Sequence, residues 1–119
     1  MLTIYGIKNC DTMKKAMLWL NEQGLDYHFH DYKKEGLDDT LLKTWLETLG
    51  WQTLINQQGT TWRKLAIDKT TLNNDFAFDL IKNNLSLIKR PLVAINNQRT
   101  LLGFNVQTWQ DQLISIKHD

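Results

Sequence analysis

The sequence has one cysteine, at position 10, and one proline, at position 91. A lone thiol cannot close an internal disulfide, so the stapled architecture of small secreted domains is excluded. With only six glycines and no Pro/Gly/Ser tract, nothing reads as a linker, and 119 residues fit a single domain, 1–119. No apolar run approaches the roughly 18 residues of a membrane span. Residues 1–15 lack the basic start and long apolar core of a signal peptide. Charge of one sign is also missing: 14 Lys and Arg face 13 Asp and Glu, a net charge of +1. That balance gives no global field for nucleic acid or an anionic membrane surface. What remains is apolar content of 42%, with five Trp and four Phe, enough for a compact core. A soluble, cytoplasmic protein is expected.

Hydrophobic periodicity supplies the element order. Residues 2–5 are short, apolar and β-prone, and Gly6 ends them. Asp11 or Thr12 is the expected N-cap of a following helix. Met13, Ala16, Met17 and Leu20 then recur at one helical face, and Gly24 supplies the C′ position. Residues 27–32 read as a second strand. Asp38 or Asp39 caps a helix carrying Leu41, Leu42, Trp45, Leu46 and Leu49, closed by Gly50. Short helical pieces are expected over 51–72, with the Gly59 region as a loop. Another helix runs through Phe76, Ala77, Leu80 and Ile81. After Pro91, residues 92–95, an Asn96–Asn97 turn and residues 100–103 form a hairpin. Asn105 then caps a last helix using Val106, Trp109, Leu113 and Ile116. The order β-α-β, helices, β-β-α predicts an α/β fold with a mixed sheet flanked by helices.

Cys10 falls between a buried strand and a helix start. The first N–H groups of a helix have no internal partner and, with the helix dipole, favour an anion. A thiolate is such an anion, and reactive cysteines sit in part-exposed, electropositive surroundings. Lys8, Lys14 and Lys15 are close in sequence, and Lys14 lies in the first turn. The Thr12 hydroxyl can donate to a thiolate. The competing role, a small buried filler, is common for free cysteine. Pro91 has two readings: the start of an edge strand, where its missing donor does no harm, or a cis-proline opposite Cys10 that docks an extended thiol substrate. Arg90 beside it carries a planar fork suited to a carboxylate or oxyanion. Trp19, Trp45 and Trp109 read as packing residues.

Five segments together resemble the arsenate reductase (ArsC)/Spx family, and its YffB-like branch in particular: YGIKNCDTMKKA at 5–16, HDYK at 30–33, GTTWRKL at 59–65, IKRPLV at 88–93 and GFN at 103–105. The resemblance implies a thioredoxin-like fold with a helical insertion, about 38–84, between the βαβ and ββα halves. It also brings the Gly59–Lys64 segment, and Arg63 within it, toward a site role.

In the glutaredoxin-coupled arsenate reductases of this family the catalytic cysteine falls where Cys10 stands, and three arginines hold the oxyanion. Arg90 matches one of them. The other two positions carry Asn56 and Gly103, and Arg63 and Arg99 do not align with them. The resemblance therefore implies a glutathione-dependent thiol/disulfide reductase with Cys10 as nucleophile. Arg90, Pro91, Lys14, Thr12, Arg63 and Asn56 are its substrate-binding candidates. It implies glutathione as co-substrate, with no bound cofactor, and glutaredoxin as a further partner. A monomer is the default expectation, and His28 and His30, without a third ligand nearby in sequence, are expected to be solvated and not to hold a metal. Two alternatives come with the family: an arsenate reductase, and a non-enzymatic Spx-like regulator that binds RNA polymerase. The regulator senses oxidation through a Cys-x-x-Cys pair, and here Met13 holds the second place.

Overall fold

The computed structural model describes residues 1–96 and 99–117. Backbone contacts divide the chain into two compact units: Met1–Asp31 with Arg90–Asp119, and Tyr32–Lys89. The first holds strands β1 (Leu2–Gly6), β2 (Tyr27–Asp31), β3 (Leu92–Ile95) and β4 (Arg99–Leu102), with helices α1 (Asp11–Glu22) and α7 (Val106–Lys117). The second is helical, with α2 (Tyr32–Glu35), α3 (Asp39–Leu49), α4 (Trp51–Leu54), α5 (Thr60–Lys64) and α6 (Asn74–Asn83), and 3₁₀ turns at Lys69–Thr71 and Leu85–Leu87. This is the thioredoxin-like mixed α/β topology with a helical insertion.

The four-stranded sheet has the order β2-β1-β3-β4. β1 and β2 run parallel, joined by α1, because a parallel pair needs a crossover. β3 lies antiparallel to both β1 and β4. The hairpin turn includes Asn96 at φ 53°, while Asn97 lies outside the described residues.

Helix α1 buries Met13, Ala16 and Leu20, the stripe its spacing predicts. Gly24, at φ 69°, ends it in a Schellman arrangement. The Leu25 N–H donates to the Leu20 carbonyl (3.0 Å) and the Gly24 N–H to the Asn21 carbonyl (3.1 Å). The start of α1 differs from expectation: the N-cap is Cys10, and Asp11 and Thr12 are already helical. Asp11 in the first turn places its carboxylate where the helix dipole favours it without occupying the cap.

The core beside the sheet gathers Leu2, Ile4, Met13, Ala16, Leu20, Leu25, Val93, Ile95, Trp109 and Leu113. Trp109 is its largest member. Its ring meets Phe104 edge-on at 4.8 Å and Trp19 at 5.9 Å, and its Nε1–H donates to the Gly103 carbonyl at 3.1 Å. Asn105 caps α7, its Oδ1 accepting from the Thr108 N–H at 2.9 Å. The side chain of Ile116 lies outside the described residues.

In the helical unit Asp38 caps α3 through the Leu41 N–H (3.1 Å), and Asn73 caps α6 through the Phe76 N–H (2.8 Å). α3 buries Leu42, Trp45 and Leu46, and α6 buries Ala77 and Ile81. An isolated antiparallel bridge pairs Ile55, after α4, with Ile88 near the end of the unit. It is flanked by Asn56 N–H to Leu87 O (2.8 Å) and Lys89 N–H to Leu54 O (2.9 Å). The Gly59 region, expected as a loop, opens helix α5 instead, with Gly59 as N-cap accepting from the Arg63 N–H. Among the described residues no helix is long and apolar enough to cross a membrane.

Two expectations follow. Trp109→Ala removes the centre of an aromatic cluster and a hydrogen-bond donor, and is expected to cost about 3–5 kcal/mol. The check is the urea midpoint at unchanged denaturant slope, and a loss below about 1 kcal/mol would contradict the packing role. Burial pushes the Tyr5 phenol above the ordinary value of 10.0. The folded chain therefore holds this proton more tightly than the unfolded one, so the contribution is complete below about pH 10 and is lost as pH rises through the folded value. Spectrophotometric titration is expected to show one of the three tyrosines ionising late, and Tyr5→Phe to lessen the alkaline loss of stability.

Candidate functional site

Strand β1 delivers the chain to residues 7–10, and α1 begins immediately afterwards. Cys10 is half-buried, its sulfur packed against the apolar core on one side. Its backbone is extended, φ −117° and ψ 128°, as an N-cap requires, and its carbonyl accepts from the Lys14 N–H at 3.0 Å. The side chain makes no capping hydrogen bond. Cys10 thus holds the sequence position of an N-cap residue without supplying a side-chain cap.

Around this position, Lys14 follows Cys10 by one helical turn, on the same side of α1. Thr12, Lys14 and Lys15 are exposed, as is Lys8 in the preceding loop. Beneath the turn, Met13 is fully buried. Sequence reasoning overlooked its close approach to Gly6: a methyl group added to Gly6 would lie 2.4 Å from Met13 Sδ. A glycine ending a buried strand is the only sequence signal of such a contact.

The strand register brings Arg90 and Pro91 to this end of the sheet. Tyr5 of β1 is opposite Leu92 of β3, so the residues before Leu92 lie alongside the end of β1. The Arg90–Pro91 peptide is cis. β3 is an interior strand, flanked by β1 and β4, which removes the edge-strand reading of Pro91. Pro91 is buried and its carbonyl accepts from the Gly103 N–H at 2.9 Å, while Arg90 is half-buried.

Gly103, where an arginine of the family would fall, has φ 74°. An L-residue is strained in that conformation, so the backbone itself is built for glycine here. Arg99 directs its guanidinium to α7, with Nη1 donating to Gln112 Oε1 at 2.9 Å and Nη2 to the Gln112 carbonyl at 3.3 Å.

Asn56 and Arg63 belong to the helical unit. Asn56 is half-buried, and its Oδ1 accepts from the Gln58 N–H at 3.2 Å. It lines an open cleft of about 300 Å³ with Gln52, Thr53, Gln57, Gln58 and Lys89. Arg63 is exposed in the last turn of α5. Its neighbours serve packing: Thr61 Oγ1 lies 2.9 Å from Ser86 Oγ, Trp62 stacks on Trp51 at 6.0 Å, and Lys69 sits over the Trp62 ring at 4.7 Å.

These features agree with what the chain is similar to. A family model described as the ArsC family matches residues 5–112. An uncharacterized protein of Haemophilus influenzae is 40% identical over 116 residues, covering 92% of this chain and 96% of its own. The global transcriptional regulator Spx of Streptococcus mutans is 32% identical over 107 residues, covering 88% and 77%. Among solved structures, the YFFB (PA3664) protein is 43% identical with a TM-score of 0.85, covering 95% of this chain and 99% of its own. An arsenate reductase (ArsC) related protein from Brucella melitensis is 45% identical with a TM-score of 0.78, covering 93% and 92%. An arsenate reductase from Vibrio cholerae, 20% identical at a TM-score of 0.72, shares the fold. A single-cysteine member of a redox fold, with that cysteine capping α1, this chain belongs to the ArsC family.

Proposed function

We propose that the chain is a glutathione-dependent thiol/disulfide reductase with Cys10 as its one nucleophile. The observation that carries the reading is the uncapped helix start, where a half-exposed sulfur is the N-cap of α1 with no hydrogen bond of its own. In the proposed cycle the Cys10 thiolate attacks one sulfur of a disulfide. A new sulfur–sulfur bond forms to Cys10, and the other sulfur leaves as a thiolate and takes a proton from solvent. With no second cysteine in the chain, the mixed disulfide is resolved from outside. One glutathione thiolate displaces the second substrate thiol and leaves Cys10 glutathionylated. Another attacks that adduct, releasing Cys10 and oxidised glutathione. The net change is one disulfide reduced and two glutathiones oxidised. Lys14 supports the thiolate, and the Thr12 amide and hydroxyl offer donors to it. Arg90 serves the carboxylates of glutathione, Pro91 the docked substrate, and Arg63 and Asn56 are further binding candidates. The work is that of a monomer in the cytoplasm, the compartment rich in glutathione.

Arsenate reduction is the less favoured enzymatic reading. Asn56 and Gly103 bring no guanidinium, and hydrogen bonds to charged groups contribute about 1.5–3 kcal/mol each. Losing two corresponds to roughly two to four orders of magnitude in rate. The Spx relatives raise a regulatory reading, but Met13 stands three residues after Cys10, so the paired-cysteine switch cannot form.

Cys10→Ser is expected to abolish glutathione-dependent reduction of a small mixed disulfide while leaving the circular dichroism spectrum unchanged. A serine variant with wild-type turnover would remove Cys10 from the mechanism. In the same assay, arsenate with glutathione and glutaredoxin is expected to turn over at least about 100-fold more slowly, from the energies above. Comparable rates would mean the anion site is complete after all. Capture of RNA polymerase subunits by the wild-type chain would favour the regulator.

A further inference from the structure

His28 and His30 stand two residues apart on β2, an edge strand of the sheet. Alternation along a strand puts them on one face. The register settles which face. Tyr27 and Phe29 lie opposite Leu2 and Ile4 and pack with them at the core, so the histidines occupy the other side, opposite Thr3 and Tyr5. His30 is half-buried there, its imidazole 4.9 Å from the Tyr5 ring at an angle of 43°. Sequence spacing gives this pair no third ligand; the structure supplies one. β2 passes directly into the single turn Tyr32–Glu35. The Gly36 N–H closes that turn by donating to the Tyr32 carbonyl at 3.0 Å, with Gly36 at φ 69°. The Glu35 carboxylate is thereby carried back to the histidines. One donor atom from each of His28, His30 and Glu35 lies within 4.8 Å of the other two. Asp31, closer in sequence, falls on the Phe29 side by the same alternation and is no member of the group.

We infer that His28, His30 and Glu35 form a binding site for a divalent transition-metal ion, with zinc as its fitting occupant. Two imidazole nitrogens and a carboxylate oxygen are the donor types of three-ligand zinc sites, in which water completes the coordination. They do not suit Ca²⁺ or Mg²⁺, which take oxygen ligands. With metal–ligand bonds of about 2.0–2.1 Å, donors in a tetrahedral shell stand roughly 3.3 Å apart. Closing to that spacing falls to side-chain rotation, for which the exposed His28 and Glu35 have room. His30, set against the Tyr5 ring, is the member about which the other two close. All three ligands belong to one continuous stretch, 28–35, so the site is local to that stretch. Cys10 is outside the group, and the site does not rest on the thiol chemistry.

The test is calorimetric titration of the tag-free full chain with Zn²⁺ alone, alongside folding by circular dichroism. One ion per chain is expected to bind with a Kd tighter than about 100 μM. Removing even an outer partner of a metal ligand costs about 10–100-fold in affinity. Folded His28→Ala, His30→Ala and Glu35→Gln are therefore each expected to weaken binding at least about tenfold. Cys10→Ser, which leaves the three donors in place, is expected to bind as the wild type does. The same is expected of His118→Ala, at the chain's one other histidine. Weaker or unsaturable binding by the wild type overturns the site. Wild-type affinity in Glu35→Gln also overturns it, since only a two-histidine chelate would be left. Loss of binding in Cys10→Ser or His118→Ala would place the ion elsewhere and has the same consequence. If His30→Ala fails to fold, His28→Ala at the exposed position decides, and wild-type affinity there overturns the assignment. None of these results bears on glutathione-dependent turnover, so the reductase reading stands or falls separately.

Discussion

The antiparallel register of Leu2–Tyr5 against Leu92–Ile95 is the constraint on which the site depends. It joins two parts of the chain separated in sequence by the whole helical unit. Because β1 ends where β3 begins, the Cys10 loop and the Arg90–Pro91 peptide emerge at the same end of the sheet. A slip by one residue would turn Ile4 and Val93 to the opposite face of the sheet and move the Arg90–Pro91 peptide away from the end of β1. The sheet is completed on one side by β2 in parallel and on the other by β4 in a hairpin. The Cys10 and Arg90–Pro91 segments thus adjoin interior strands, which are paired on both sides.

Much of this was legible in the sequence because it rests on short-range periodicity. The Met13, Ala16, Leu20 stripe, the Gly24 terminus, the Asp38 and Asn105 caps and the 92–103 hairpin all follow from residue spacing and backbone preference. The cap of α1 was missed by one residue for a related reason: Asp11 and Thr12 are good capping types and cysteine is not, so local preference pointed past Cys10. That error matters chemically, since a capping oxygen at Asp11 would have competed with the sulfur for the first N–H groups. The isomer at Pro91 and the fit of Met13 into Gly6 depend on tertiary contact and leave no periodic trace. The Gly59–Lys64 segment differs in another way, since its helix α5 was expected as a loop. Its hydroxyls, aromatic ring and cations look like a binding loop in sequence, yet Trp62 and Thr61 are engaged inside the helical unit.

The proposed anion-binding role falls on few arginines, for a reason visible in the backbone. At Gly103 the φ of 74° makes an arginine costly irrespective of what it would bind. Arg99, the nearest guanidinium along the chain, is committed to Gln112. Arg90 is therefore the one arginine that the sheet register carries to the Cys10 end. One guanidinium matches a carboxylate in bidentate fashion, whereas a doubly charged oxyanion gains from several. The chemistry of a singly charged carboxylate attached to a thiol is the better match to what this backbone permits.

Met13 stands three places after Cys10. A second thiol there would allow the chain to resolve its own mixed disulfide and would tie its output to an internal switch. Met13 has no exchangeable sulfur and is buried in the core. Under the proposed reductase reading, an adduct on Cys10 would therefore have to be resolved by an external thiol, and turnover would depend on the concentration of that thiol. The side chain at this position instead contributes to the apolar core with Leu2, Ile4 and Ala16.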